Sequence, residues 1–390
     1  MKRIVAHVAV SLFLAGLSAA QTHEAIVRVS NPSTVPRHGE TVEVPLASLR
    51  MPGDIPNAFA VRPAEGGSVL TSQATDSLLL FQADIPAGGV REFRVERLAS
   101  PPPPHVPLVD GRYVLPREDY AWENDRIAFR MYGPALASEV NNGIDVWTKR
   151  VRSLIVEKWY REAEAAPGTD WYHHDRGEGA DFFDTGRSLG AGACALWSGG
   201  RVHQPGVFSS WKTIACGPLR VEFELTYASV DAGEGPVTER MRIALDAGQN
   251  LNRITVIFSR AGCGGNLGVA WGLVKRKGVT LTRSGSWMGL WGMTNSDTVN
   301  GSLGIGVVLP PFTDPEPAED SVQVLLVGRV KCGVPFTYYA GAGWTRSGDF
   351  SSRGDWEACL ASRAAALASP LSVTVERGPK GVSPPGRNRE

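Results

Sequence analysis

The sequence predicts a mainly β protein built around a large antiparallel β-sandwich. Strand-length apolar runs outnumber helical ones, and the turn-forming residues glycine and proline occur 44 and 27 times. Alternating segments recur along the chain without the regular intervening helices of a parallel α/β architecture. The 390 residues provide enough chain for a large core and for more than one domain.

The first twenty residues have the pattern of a secretory signal peptide. Lys2 and Arg3 precede an apolar run that ends at Leu17, and the small residues Ser18-Ala19-Ala20 provide a cleavage site. We therefore expect residues 1–20 to be removed and the mature protein to be periplasmic or secreted, without a membrane anchor. Acidic and basic residues are equal in number, 40 of each, which gives no electrostatic reason to expect a nucleic-acid partner.

The residues after the signal peptide divide into two β-rich parts. Residues 21–100 contain no tryptophan, and their short strands separated by turn motifs predict a small N-terminal β module. Residues 101–110 are rich in proline and are expected to form a stiff linker. All eleven tryptophans lie between Trp122 and Trp356, which predicts a larger main domain over residues 111–376.

Three local patterns give further expectations. Residues 144–160 are read as a continuous strand. Asp355 could cap a late helix over residues 356–368. The polar segment 377–390, with its proline and glycine, is expected to be a disordered tail.

The five cysteines contain no Cys-x-x-Cys pair. An exported protein permits a disulfide, and Cys194 with Cys216 is one candidate pair across a hairpin. The favoured expectation is that most of the cysteines are buried and reduced, acting as small apolar residues.

Residues 171–186 form the candidate catalytic segment. The segment has neither a helical nor a strand period, so it reads as a loop, and it contains Tyr172, His173, His174, Glu178 and Asp181. Histidine can take or give a proton near neutral pH, and a nearby carboxylate can orient it. We predict catalytic roles for the tyrosine, the two histidines and the glutamate, against the alternative of a solvated surface loop.

A candidate anion-binding group lies upstream of this loop. Residues 126–132 alternate as a strand with Arg126 and Arg130 on one face, and a guanidinium can hold a carboxylate in a bidentate way. The alternative is an outer face with ordinary ion pairs. Beside a proton-transfer site, such cations would stabilise the charge that forms when the proton next to a uronic-acid carboxylate is removed. The predicted substrate-binding residues are Arg126, Arg130, Lys149, Asp181 and Trp147.

Three other interpretations use some of the same residues. Glycoside hydrolysis would pair Glu178 with Asp181 or Asp145, at a carboxyl separation of about 5–10 Å. A non-catalytic protein could bind sugars on tryptophan platforms. No cofactor is expected, although one histidine with Glu178 and Asp181 could hold a divalent cation without any zinc-type spacing.

Three segments together resemble the DUF4861 family of exported bacterial proteins found among polysaccharide-degrading functions. They are Tyr-Ala-Trp-Glu-Asn-Asp-Arg-Ile-Ala-Phe-Arg-Met-Tyr-Gly-Pro-Ala-Leu at 120–136, Gly-Ile-Asp-Val-Trp-Thr-Lys-Arg-Val at 143–151 and Tyr-His-His-Asp-Arg-Gly-Glu-Gly-Ala-Asp-Phe-Phe at 172–183. The resemblance extends over nearly the whole mature chain. The matched candidate residues are Arg126, Arg130, Lys149, His173, His174, Glu178 and Asp181.

The resemblance implies a galactose-mutarotase-like supersandwich and activity on sugars. Some relatives look like oligosaccharide dehydratases or lyases that act on uronic-acid sugars. The expected function is therefore polysaccharide degradation outside the cytoplasm, with a uronic-acid-containing oligosaccharide as substrate and elimination as the reaction.

Overall fold

The computed structural model describes residues 24–51, 58–262, 264–294 and 299–377. The predicted signal peptide and the predicted tail beyond Arg377 lie outside the described residues. Strands account for 51% of the residues and helices for 12%, which confirms the mainly β prediction. Among the described residues, no helix is both long enough and apolar enough to span a membrane.

Two small sheets form an N-terminal unit with its own apolar core. One sheet has the strand order β26-β1-β6-β3 and the other the order β2-β5-β4. The elements are β1 (Glu24–Ser30), β2 (Arg37–Pro45), α1 (Leu46–Leu49), β3 (Phe59–Pro63), β4 (Ser72–Ala74), β5 (Leu78–Ile85), β6 (Val90–Arg97) and β26 (Ser372–Arg377).

Strand β26 crosses the predicted boundary at residue 376 between the main domain and the tail. Although β26 falls within the predicted main domain 111–376, it pairs antiparallel with β1, with Val375 opposite Val27. Its alternating sequence places Val373 and Val375 against the core of the N-terminal unit. Strand β26 therefore completes the first sheet, and it includes Arg377, which the sequence pattern assigns to the tail.

One layer of the main sandwich is a nine-stranded antiparallel sheet. Its order is β14-β15-β17-β18-β25-β22-β21-β20, and β16 pairs with β17. The strands are β14 (Phe208–Cys216), β15 (Arg220–Tyr227), β16 (Val230–Asp231), β17 (Pro236–Asp246), β18 (Leu251–Ser259), β20 (Val279–Ser284), β21 (Trp287–Met293), β22 (Ser302–Val308) and β25 (Phe336–Trp344).

The facing layer consists of two five-stranded sheets that meet at a bridge between Ile144 and Gly190. The first has the order β11-β10-β9-β8-β7, and the second β13-β12-β19-β24-β23. The first contains β7 (Val109–Val114), β8 (Asp119–Asn124), β9 (Ile127–Met131), β10 (Asp145–Lys149) and β11 (Gly179–Ala180). The second contains β12 (Ala191–Ser198), β13 (Arg201–His203), β19 (Asn266–Val274), β23 (Glu316–Glu319) and β24 (Gln323–Lys331).

Aromatic contacts show that both five-stranded sheets cover the same face of the large sheet. Trp122 of the first sheet lies 4.9 Å from Phe223, and Trp271 of the second lies 6.1 Å from Tyr338, measured between ring centroids. Strand pairing places Phe223 and Tyr338 on one face of the nine-stranded sheet, through Ile243 and Ile254. The core therefore lies between two large antiparallel layers, as the predicted sandwich requires.

Helix α3 (Arg353–Ala368) packs on the opposite face of the nine-stranded sheet. It begins three residues earlier than predicted, because Ser352 rather than Asp355 is the N-cap. The Ser352 side chain accepts a hydrogen bond from the Asp355 backbone, and the Asp355 carboxylate accepts one in return. This reciprocal arrangement is a capping box, in which the acidic residue occupies the third helical position.

The prediction of one strand over residues 144–160 is wrong beyond Lys149. Strand β10 ends there, and α2 (Val156–Ala165) follows. The Glu123 carboxylate on β8 accepts hydrogen bonds from the backbone nitrogens of Ile155 and Val156, both at 2.7 Å. The N–H groups at the start of the helix are therefore hydrogen-bonded to a side chain distant in sequence. No local N-cap residue marks this helix start in the sequence.

The candidate disulfide between Cys194 and Cys216 does not form. Cys194 is buried in β12, Cys216 is exposed at the end of β14, and both are free, as is Cys359. Cys332 is disulfide-bonded, so the expectation of mainly reduced cysteines does not hold for this residue.

Candidate functional site

The candidate loop lies on the outer face of the first five-stranded sheet. Pairing of Arg130 with Asp145, and of Trp147 with Ala128, places these side chains on one face. Helix α2 and the 3-10 turn Trp171–His173 cover this face and share an apolar cluster with Trp147. Several of the predicted site residues therefore lie beneath this cover rather than in an open cleft.

Arg130 occupies the centre of a buried ionic cluster. It is 5% exposed, and its Nη2 lies 2.6 Å from Asp145 Oδ2 and 3.1 Å from Asp181 Oδ2. The same nitrogen donates to the Tyr132 hydroxyl at 3.0 Å. These partners use the guanidinium, so the predicted substrate-binding role of Arg130 is corrected to an internal one.

Lys149 is also internal. Its Nζ lies 2.6 Å from Glu123 Oε2 and donates to the Asn124 carbonyl oxygen at 2.6 Å, and the side chain is fully buried. Burial lowers the pKa of Lys149 and raises that of Glu123. The predicted role of this lysine in holding a substrate carboxylate is therefore not supported.

Two further predicted residues are taken up by ion pairs. Glu178 accepts hydrogen bonds from Lys158 Nζ at 2.8 Å and from Trp159 Nε1 at 3.1 Å. Burial works to raise the pKa of Glu178, but the Lys158 and Trp159 hydrogen bonds outweigh it and lower the pKa. Arg126 Nη1 lies 2.5 Å from Asp349 Oδ1. Neither residue is free to act as predicted, and the described partners of the Glu178 carboxylate are Lys158 and Trp159 rather than a histidine.

Trp147 and Tyr172 form the aromatic floor under the loop. Trp147 is fully buried, and its ring stacks on Tyr172 at 5.0 Å. Tyr172 is 7% exposed. A fully buried indole cannot touch a substrate, so the predicted binding role of Trp147 is corrected to packing. The Tyr172 ring packs against the His173 ring, with 4.8 Å between their centroids.

His173 is the predicted catalytic residue whose surroundings suit proton transfer. Its side chain is 47% exposed, and Nδ1 lies 3.0 Å from the Asp181 carbonyl oxygen and 3.7 Å from Asp181 Oδ2. A hydrogen bond from Nδ1 fixes the tautomer that leaves Nε2 as the basic nitrogen. Burial, with the nearby Asp145, raises the pKa of Asp181 well above its ordinary range. The Asp181 backbone carbonyl therefore holds the His173 ring, while the buried Asp181 side chain is bound by Arg130 rather than open to a substrate.

His174 differs from its neighbour. It is exposed, and within the described part of the chain it forms no hydrogen bond or ion pair. No described residue fixes the orientation of the His174 ring. Of the two adjacent histidines, His173 is held by a hydrogen bond and His174 is not.

Arg117 is the residue that sequence reasoning missed. It lies in the β7–β8 connection, with its guanidinium carbon 5.4 Å from the centroid of the Tyr172 ring, the ring that His173 also contacts. It forms no ion pair with any described residue and is half-buried. Arg117 and His173 thus contact the same tyrosine ring, and a guanidinium without an ion-pair partner can hold an acidic ligand. No local motif marks this arginine, since the contact joins residues distant in sequence.

The described residues give no support to the hypothesis of a metal site. They contain no group of three or more histidines, cysteines or acids placed to hold an ion. In particular, Glu178 is bound by Lys158, and Asp181 by Arg130. The donors considered for a divalent cation therefore already have cationic partners.

Comparison with known proteins gives one family. The family model described as "Domain of unknown function (DUF4861)" matches residues 29–373. An uncharacterized protein from Formosa agariphila is 28% identical over 380 residues, which cover 90% of this chain and 93% of that protein.

Two solved structures show weaker likeness. A protein in the Glycosyl Hydrolase Family 38 from Enterococcus faecalis gives a TM-score of 0.46 at 8% identity, covering 92% of this chain and 48% of that one. An alpha-mannosidase from Enterococcus faecalis gives a TM-score of 0.42 at 6% identity, covering 93% and 47%. The chain spans about half the length of these two proteins, and likeness at this level indicates nothing about its activity.

Proposed function

The chain belongs to the DUF4861 family, and from the surroundings of His173 we propose that it is an exported polysaccharide-degrading enzyme that acts on uronic-acid-containing oligosaccharides by elimination. The observation that carries the proposal is the half-exposed His173 ring, held through Nδ1 by the Asp181 carbonyl oxygen at 3.0 Å. This arrangement suits a general base whose Nε2 meets the substrate.

The reaction follows from the groups around this ring. His173 Nε2 removes the proton on the carbon next to the uronate carboxylate, and Arg117 stabilises the enolate-like charge that develops on that carboxylate. The electron pair then forms a carbon–carbon double bond as the neighbouring carbon–oxygen bond breaks. Protonated His173 returns its proton to the leaving oxygen, which departs as water or an alcohol.

Arg130 and Asp181 are positioning residues in this proposal. Arg130 balances the buried carboxylates of Asp145 and Asp181, with its Nη2 at 2.6 Å and 3.1 Å from them. Asp181 in turn holds the imidazole. Because an unpaired buried carboxylate is costly, loss of the arginine would disturb the support of His173 without removing a group that touches substrate.

The two rival functions have less support. Hydrolysis needs two carboxyls across an open cleft, yet Glu178 is bound by Lys158 and the Asp145–Asp181 pair is buried around Arg130. Sugar binding on tryptophan platforms needs exposed indoles. Many of the indoles are fully buried instead: Trp122, Trp147, Trp159, Trp271, Trp344 and Trp356.

Export is part of the proposal. The predicted signal peptide motivates it, and the disulfide at Cys332 supports it, because disulfides persist mainly in oxidising compartments. Fractionation of the native bacterium with an antibody against the protein tests this point. Recovery of the full-length chain in the cytoplasm alone would contradict it.

The test of activity uses ulvan, pectin and alginate oligosaccharides. We expect ultraviolet absorbance of unsaturated uronates, with a matching mass change, from the wild-type protein. His173→Ala should abolish turnover, whereas His174→Ala and His38→Ala should retain it. His174 forms no hydrogen bond or ion pair with a described residue, and His38 is 76% exposed in the N-terminal unit. Unchanged spectra and masses with all three substrates would overturn elimination, and full activity of His173→Ala would overturn the assigned base.

A further inference from the structure

A cleft of about 640 Å³ opens at one end of the sandwich. Its walls come from the end of β12, the start of β19, the far end of β24, the β16–β17 turn and the 3-10 turn Pro311–Thr313. None of the residues that line it belongs to the cluster around His173. Its volume lies within the range of small-ligand sites.

Two aromatic side chains line this cleft. Phe312 is 79% exposed, and its ring meets the buried Phe336 ring edge-on at 6.5 Å between centroids. Trp197 is half-buried and packs against the main core on one side. Aromatic rings with one face or edge fixed and another open to a cleft offer apolar contact area to a ligand.

The polar side chains of the cleft offer both donors and acceptors. Arg329, Asp314 and Glu316 line it and form no ion pair with any described residue, while Arg260 is paired with Glu234 at 3.1 Å. Unpaired carboxylates accept hydrogen bonds, and the free guanidinium donates them. A ligand rich in hydroxyl groups can satisfy both kinds of group at once.

The charge of the lining separates neutral from acidic ligands. Three carboxylates, Glu234, Asp314 and Glu316, face two guanidinium groups, Arg260 and Arg329. The lining therefore has no cationic excess to favour an anion. This distinguishes the cleft from the His173 site, where the Arg117 guanidinium forms no ion pair with a described residue.

We propose that the cleft binds a neutral saccharide segment, with Phe312 and Trp197 against the sugar faces and Arg329, Asp314 and Glu316 on the hydroxyls. Binding at this cleft requires no turnover at His173. The inference therefore stands or fails separately from the proposed elimination.

The test is calorimetric titration of the full mature protein carrying His173→Ala, with cellohexaose, xylohexaose and mannohexaose as neutral probes and hexagalacturonate as the acidic comparison. We expect at least one neutral probe to bind. Phe312→Ala and Arg329→Gln should each weaken that binding about tenfold. Because Phe312 is 79% exposed, its truncation removes little packing.

Matched controls are Trp211→Ala, an indole 43% exposed on β14, and Arg283→Gln, an exposed arginine on β20 that has no ion pair with a described residue. Both should leave the affinity unchanged. Failure of all three neutral probes to bind, a loss of hexagalacturonate affinity in Phe312→Ala and Arg329→Gln that exceeds their loss for the neutral probes, or equal losses in the control variants would overturn the proposal. Binding only of an unstructured neutral peptide of similar length, included as a fifth titrant, would also overturn it.

Discussion

Lys149 and Glu123 form a buried ion pair, with Nζ 2.6 Å from Oε2. The other oxygen of the same carboxylate accepts hydrogen bonds from the backbone N–H groups at the start of α2. One carboxylate thereby joins β8, β10 and α2. Because α2 covers the outer face of the sheet on which Arg130 and Trp147 lie, this pair supports the floor of the candidate site.

Removing the carboxylate should destabilise the fold strongly. Glu123→Ala would leave Lys149 buried without a counter-charge and the start of α2 without acceptors, at a cost of about 3–5 kcal/mol. Urea unfolding followed by circular dichroism measures the loss. Glu157→Gln, on the exposed face of α2, is the matched control. The double variant Glu123→Gln/Lys149→Met should recover part of the stability. A loss for Glu123→Ala no larger than that of the control would contradict the assigned role.

The sequence predicts where strands lie better than it predicts whether the charged side chains on those strands are buried or exposed. Residues 126–132 alternate as expected, and Ile127–Met131 is a strand. The same alternation, however, fits a solvated face and a face covered by a helix. Arg130 is buried because α2 and the loop pack over it, and the start of α2 depends on Glu123, which lies 32 residues before Ile155. Such a contact leaves no local pattern.

The candidate site was predictable to the same extent. His173 and Asp181 are eight residues apart, and a loop can bring such neighbours together, so the segment 171–186 indicated an oriented histidine. The sequence also places Glu178 among the catalytic residues, because it does not reveal α2 and the Lys158 side chain that binds this carboxylate. Arg117 could not be found, since the β7–β8 connection and the loop that contains Tyr172 meet only in the folded chain.

Glycine on the outer face of β22 makes room for α3. A Cβ atom built on Gly304 would lie 2.7 Å from ring atoms of both Trp291 and Trp356. Gly304→Ala should therefore overpack this contact and lower the free energy of unfolding by roughly 1–3 kcal/mol. Thermal and urea unfolding provide the measurement. Gly265→Ala, where a Cβ would meet no atom within 4 Å, is the control. Equal stability of the two variants would show that α3 does not pack as described.

Arg117 should affect the recognition of acidic substrates. Arg117→Gln removes the cation that contacts the Tyr172 ring. We expect kcat/KM on the uronate oligosaccharide to fall roughly 10- to 100-fold, the value of a charge-assisted hydrogen bond. The loss should shrink when the carboxylate of the substrate is reduced or amidated. Arg283→Gln serves as the control for loss of an exposed arginine. An equal loss on charged and uncharged substrates would point to a structural effect and contradict the proposed contact.

The buried carboxyl group of Glu239 should make the free energy of unfolding depend on pH. This carboxyl is buried in β17 and accepts a hydrogen bond from the Cys194 thiol, at 3.7 Å. Tyr227 and Tyr338 are the other titratable groups near this pair. Burial raises the pKa of Glu239 to about 8. In the unfolded chain the pKa of a glutamate is about 4.3.

The sign of the effect follows from these two values. As pH rises, the unfolded chain releases the proton first, so folding stability is highest below the unfolded pKa and falls until the pH passes the folded pKa. Between about pH 5 and 8 the wild type should lose on the order of a few kcal/mol from this group, and Glu239→Gln should remove that part of the loss. Urea unfolding across this pH range measures it, with the exposed Glu139→Gln as control. Parallel pH profiles for the wild type and Glu239→Gln would show that Glu239 is ionised in the folded protein at neutral pH.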